Sequence, residues 1–581
     1  MHPPLFSSPI AFSAAAPSAS VGFTLIDWLI LGGYMVAMIA IGLLLAGRQT
    51  TRRDYFLGGR QLPWWVVGLS IIATETSALT FIGVPAMAFG VLKIDDSGAW
   101  FTEGGNIMFI QIVIGYVIAR VIVAAVMVPH YFRGDVYTPY QLLTRAFGPK
   151  PRYVAASLSL VAMTLAAGVR VYVTAIPIML LMQTVVPWWG IWHSIAVFVG
   201  VALLYTAIGG LTAVVWTDMV QFFIFFAGGL FALFYIPTLI EGGWNTVLRE
   251  GGSHLAWFHT GLVSSAALQE QLGAPPTFGQ WLWANVAGVF TPPFNIWMGL
   301  IGATVGVMVS HGVDQLNVQR VLACRNVAEG RRALILSAVI IAPLFMIFLL
   351  VGVCLWVYYS HVHGFNFGAL QPLDPTALKP TPKADYVFPA FIISEVPPVV
   401  KGFMIAGILA AAMSSVSSAL SAMSSVAVMD LLRPAMRERR LRLGLPAEEP
   451  ANDATELAVS RAFTLLAGLA LAMVALGSQH FALVFELAFT LAGLTAGAIL
   501  GSVLFAMIAG RGYPGPVIAG MVCSFAVMAL INILQFTTPV KIHWPWHPPI
   551  GTALCLIVAW LASVGVPPPT DRHINQVADG E

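Results

Sequence analysis

The sequence predicts an all-α polytopic membrane protein with about 13 transmembrane helices, and three observations carry that prediction. Hydrophobic residues make up 58% of the chain and charged ones 9%, where a soluble globular chain runs roughly 25% charged. The apolar residues fall in runs near the ~20 residues a bilayer demands, each bounded by Gly, Pro or charge. Finally, Lys and Arg cluster in alternate connections: 47–62, 129–152, 311–332, 430–458, 510–514 and the C-terminal tail hold 19 of the 28, against about six in the opposite set. So much apolar surface needs lipid or other helices as its solvent.

In chain order the runs lie near 24–46, 63–90, 104–128, 152–182, 187–208, 213–238, 292–313, 333–357, 398–428, 459–477, 481–509, 515–535 and 549–566. Residues 1–23 show no basic region before their small residues and read as an extracytoplasmic tail rather than a cleaved signal. The Lys/Arg asymmetry places the N-terminus outside and the tail 567–581 in the cytoplasm, as an odd helix number requires, in the cell (inner) membrane. Two spans look interrupted. Gly83, Pro85 and Gly90 fall late in the second, while Pro292-Pro293 opens the seventh and Ser310-His311-Gly312 closes it. The seventh comes five spans after the second, which fits a five-plus-five inverted repeat. Its units are 63–238 and 292–509, joined by an extracytoplasmic loop 239–291, with additional helices at 24–46 and 515–566. The run RERRLRLGLPAEEP in 430–458 reads as a solvated inner loop. A net charge of +2 offers no basic surface for nucleic acid, and the four scattered cysteines have neither metal nor disulfide spacing.

Charge inside the spans is costly and marks candidate sites; the informative residues are Glu75, Arg120, Arg170, Asp218 and Glu486. Two readings of Arg170 stand together: it pairs with Glu75, or it offers a bidentate guanidinium to a substrate carboxylate. The densest chemistry is AAAMSSVSSALSAMSS, 410–425. On a helix Ala411, Ser414, Ser415 and Ser418 share one face at i, i+3, i+4 and i+7. Hydroxyls, with carbonyls freed by a broken partner helix, suit a hard cation such as sodium. Close packing of small residues explains the same stripe without any ion.

The stretches DYFLGGRQLPWWVVGLS (54–70), MVPHYFRGDVYTPYQLLTRAFG (127–148), GGLTAVVWTDMVQ (209–221), VDQLNVQRVLACRN (313–326) and AAAMSSVSSALSAMSSVAVMD (410–430), in this order, resemble the sodium:solute symporters. These are relatives of the sodium–glucose, proline, sialic acid and iodide carriers, and the resemblance spans about Asp27 to residue 535. It implies the leucine-transporter fold, with the second and seventh spans opening the two repeats. It implies a main sodium site of the Ala73, Thr76 and Ala411 carbonyls with the Ser414 and Ser415 hydroxyls, and Asp430 follows those serines at the family's distance. A second sodium site is chemically open to Asp218, Ser417 and Ser418. Similarity to sialic acid carriers makes Ser77, Thr80 and Arg170 substrate-facing. Glu75, Ser310 and His311 complete the candidate substrate set. Ser310 and His311 stand where sugar carriers place a tyrosine and a large aromatic, which argues against a hexose.

The expected function is sodium-coupled symport of a small organic solute, with a carboxylate in view, by alternating access. A proton-coupled or facilitative carrier, with Glu75 titrating, is the near rival. An intramembrane enzyme is disfavoured because neither HExxH nor GxSxG occurs. A sensor is disfavoured because about 15 residues follow the last span, too few for a signalling domain.

Overall fold

The computed structural model describes residues 23–45, 57–95, 100–133, 138–206, 211–365, 383–444, 453–480, 484–509, 512–537 and 542–566, with only the backbone at some of them, Glu486 included. Eight helices are long and apolar enough to cross a membrane, a bent pair makes a ninth, and four shorter apolar helices accompany them. Apart from a two-stranded antiparallel ribbon, Val91–Ile94 with Trp100–Glu103, the described structure is helical. In lipid a helix satisfies its own backbone polar groups, which is why apolar runs take this form.

The second span is a helix pair, Trp64–Glu75 and Ala78–Phe89, bent by 53°. The bend is not where Gly83, Pro85 and Gly90 suggested. Pro85 sits inside the outer helix, and the break falls at Thr76-Ser77. There the Thr76 N–H makes the last bond of the inner helix, to Ile72 O at 2.7 Å. The Thr76 hydroxyl also donates to Ile72 O, and the Ser77 N–H bonds Glu75 O at 3.1 Å. Local side-chain bonding thus ends the ladder without glycine or proline. Pro85 instead marks a close crossing, since a Cβ on Gly352 would lie 2.3 Å from Pro85 O.

The seventh span begins as a π-helical turn, Met298–Ala303, and continues as Thr304–Gly312. It breaks at Val313-Asp314, and Asp314 then caps the helix Gln315–Leu322 by accepting from the Leu316 N–H at 2.9 Å. The expected interruption at Pro292-Pro293 lies ahead of the helix itself. The inner connection after the serine-rich helix is also more ordered than a solvated loop: Val426–Leu432 forms a π-turn and Arg433–Arg442 a further helix.

The serine-rich helix Val400–Ser425 sits at the centre. It packs on Leu25–Leu45, Pro149–Gln183, Leu211–Thr238 and Asp453–Ser478. Its most apolar window is 88% buried, against 28% for the C-terminal Pro514–Gln535, so its small residues meet protein and not lipid. The helix Leu25–Leu45 holds its N-terminal end. Asp27 Oδ1 accepts from the Val399 N–H at 2.8 Å and the Gly402 N–H at 3.1 Å, capping that terminus from another segment of the chain. Beyond its C-terminal end, Arg152 Nε donates to Asp430 Oδ1 at 2.8 Å, tying Pro149–Gln183 to the turn that continues the serine-rich helix.

Candidate functional site

Two clusters lie where the broken span meets the rest of the fold. The first joins it to the serine-rich helix. Ser415 Oγ donates to Ala411 O at 3.1 Å and reaches Thr74 O at 3.4 Å. Thr74 is flanked by the expected carbonyl donors Ala73 and Thr76, all of them buried. Ser414 Oγ donates to Asp218 Oδ1. Ser415 is therefore brought against the last turn before the break, where helix-end carbonyls are released from the ladder, and Ser414 is turned to Asp218.

Asp218, fully buried in Leu211–Thr238, is heavily committed. Its Oδ2 accepts from Ser70 Oγ at 2.7 Å, from Arg320 Nη2 at 3.1 Å and from Thr74 Oγ1 at 3.4 Å. Arg320 in turn reaches Ser70 Oγ at 3.0 Å, Ser418 Oγ at 3.1 Å and Leu316 O at 2.8 Å. Ser417 Oγ bonds Ser414 O at 3.1 Å. The structure thus links Asp218 to Ser418 through Arg320, and Ser417 donates to backbone. Sequence reasoning missed Arg320. Its signal was the arginine in VDQLNVQRVLACRN, which had counted only toward topology.

The second cluster surrounds a cavity of about 210 Å³. Its lining includes Glu75, Thr80, Arg170, Ser310, His311 and Asp314, among many small apolar side chains. Ser77 is buried beside the break but is not part of that lining. The expected Glu75–Arg170 pair does not form. Glu75 Oε2 is bound by Arg120 and lies 3.6 Å from His311 Nε2, while His311 Nδ1 bonds Ser310 Oγ at 2.8 Å. Arg120, with no exposed side-chain surface, also donates to Tyr116 O at 3.0 Å. The rotation of these helices, which spacing along the chain does not fix, turns Arg120 toward Glu75. Arg170 makes no side-chain hydrogen bond or ion pair with a described residue; Asp314 and Glu75 are the carboxylates whose charge acts on it. An unsatisfied guanidinium on a cavity wall is a docking point for an anionic group.

Among the described residues no group of three or more His, Cys, Asp or Glu side chains gathers as for a transition-metal site. The oxygen-rich contacts of the first cluster suit a hard monovalent ion instead.

The model of the sodium:solute symporter family matches residues 55–522. A sodium/sialic acid symporter of Proteus mirabilis is 27% identical over 69% of this chain and 70% of its own. The sodium/glucose cotransporter of Vibrio parahaemolyticus is 25% identical over 71% of this chain and 69% of its own. Human sodium-coupled monocarboxylate transporter 1 is 25% identical over 71% of this chain and 60% of its own. A solved substrate-bound, outward-open Na+-coupled sialic acid symporter matches with a TM-score of 0.69 at 22% identity, over 95% of this chain and 100% of that one, which is a likeness of fold.

Proposed function

We propose, starting from the fact that this chain belongs to the sodium:solute symporter family, that it carries a small carboxylate inward with sodium by alternating access. Membership makes it a multi-pass membrane transporter that uses sodium, not an enzyme. The carboxylate is our reading, and one observation carries it: Arg170 lines the cavity with its guanidinium bonded to none of the described residues.

In this reading the main sodium lies between the break of the second span and the serine-rich helix. The Ala73, Thr76 and Ala411 carbonyls and the Ser414 and Ser415 hydroxyls hold it. The reach of Ser415 Oγ to Thr74 O at 3.4 Å supports this placement, because it sets that hydroxyl beside the last carbonyls before the break. Sodium then joins the two elements and favours the outward-open state, and its loss inside frees the solute. A second sodium at Asp218, Ser417 and Ser418 must share the carboxylate with Arg320. We read the thirteen apolar segments as two inverted five-helix repeats with one additional helix before and two after, N-terminus outside, in the cell membrane.

Each sodium falling through 100 mV supplies about 2.3 kcal/mol. Two supply roughly 4.6, about three decades of accumulation at ~1.4 kcal/mol per decade, and an anionic solute carries one charge back and offsets half of that. The test is uptake into proteoliposomes of carboxylates and neutral sugars, with and without sodium, by the native protein and Arg170→Ala. Carboxylate uptake should need sodium and fall at least about tenfold in the variant. Selective uptake of neutral sugars, or carboxylate uptake unchanged without Arg170, sinks the carboxylate reading. Uptake indifferent to sodium sinks the coupling.

A further inference from the structure

The cavity carries both signs of charge, and resting on the carboxylate reading above, that balance narrows the solute. Arg170 is the unbonded cation. Facing it are two carboxylates, each with one oxygen engaged. Glu75 gives Oε2 to Arg120, and Asp314 gives Oδ1 to the Leu316 N–H at 2.9 Å. Neither Glu75 Oε1 nor Asp314 Oδ2 has a hydrogen-bond donor among the described residues. Both residues line the same cavity as Arg170 and act on its charge.

Among the described residues the charges cancel. Arg120 and Arg170 oppose Glu75 and Asp314, and an imidazole such as His311 is mostly neutral at pH 7 by its ordinary value. A plain monocarboxylate would satisfy Arg170 but bring a net negative charge into a site enclosed largely by small apolar side chains. It would also leave two carboxylate oxygens without donors, which is unfavourable on both counts. A solute with a carboxylate and an ammonium adds no net charge and offers donors to the acids.

We propose that the solute is a zwitterion, an amino carboxylate whose carboxylate docks on Arg170 and whose ammonium is received by Glu75 Oε1 and Asp314 Oδ2. The consequence reaches the coupling. A solute with no net charge leaves each sodium's charge uncompensated, so transport drives current. A monoanion carried with one sodium drives none.

The experiment compares acids matched in size and differing only at the α-substituent, in proteoliposomes under a set membrane potential. The sets are alanine, lactate and propionate; leucine, 2-hydroxyisocaproate and isocaproate; and phenylalanine, phenyllactate and phenylpropionate. Sodium-dependent uptake and current are both read. Within the size class taken up, the amino acid should lead its hydroxy and unsubstituted partners by at least tenfold and carry net inward positive charge. Asp314→Asn keeps an oxygen for the helix cap, and it or Glu75→Gln should reduce that lead. Equal or better uptake of the acids lacking an amine overturns the proposal while leaving the Arg170 reading intact. A lead unaffected in both variants also overturns it. Failure of every carboxylate sinks both.

Discussion

Arg120 and Arg170 serve the same region of the molecule in opposite ways. Arg120 is buried and bound to Glu75 and to the Tyr116 carbonyl. Arg170 lines the cavity and bonds no described residue. A buried charge whose partners lie within the fold holds elements together, and removing it strands its partner. A charge left unsatisfied beside a cavity is reserved for something that comes and goes. The same contrast separates the serine-rich helix, whose most apolar window is 88% buried, from the C-terminal Pro514–Gln535, where the figure is 28%.

The largest expected effect tests the buried member. Arg120→Ala leaves Glu75 without its partner and should lower stability by about 3–5 kcal/mol, read by thermal unfolding in detergent. Arg170→Ala strands no described partner and should cost less stability than Arg120→Ala, while lowering uptake at least about tenfold. If the two variants unfold alike, Arg170 is structural and the contrast is broken. A smaller effect belongs to Asp27. Asp27→Ala loses the cap on the serine-rich helix and should cost about 0.5–2 kcal/mol, with Asp27→Asn recovering most of it because the acceptor remains. Equal losses in both would mean that charge at the helix terminus, and not the hydrogen bonds, does the holding. Smallest is Ser417→Ala, whose hydroxyl bonds only Ser414 O. Loss of that buried bond should cost about 0.5–1.5 kcal/mol, and a fall in the cooperativity of sodium activation in the folded variant would be a sign of a second ion there.

The helices were legible because their length and apolar content follow directly from the bilayer. The shared face of Ala411, Ser414 and Ser415 followed from helical spacing. The break was misplaced because glycine and proline are the visible signals. Here the chain turns at Thr76-Ser77 through a hydroxyl bonded to Ile72 O and a neighbouring serine helix. The partner of Glu75 was misread for a related reason. Spacing gives a residue its face within a helix, but which neighbour that face meets depends on how helices rotate against one another. Arg320 escaped notice because it sits in a segment counted as an inner loop, although the fold buries it against Asp218 and Ser418.

The central claim is that sodium binds where the broken span meets the serine-rich helix. Its most direct test is the sodium dependence of solute uptake in the double variant Ser414→Ala with Ser415→Ala, measured beside its folded fraction. The account predicts a folded protein whose half-saturating sodium concentration rises at least about tenfold, a loss of ~1.4 kcal/mol or more of ion binding. A folded double variant with unchanged sodium dependence would contradict it.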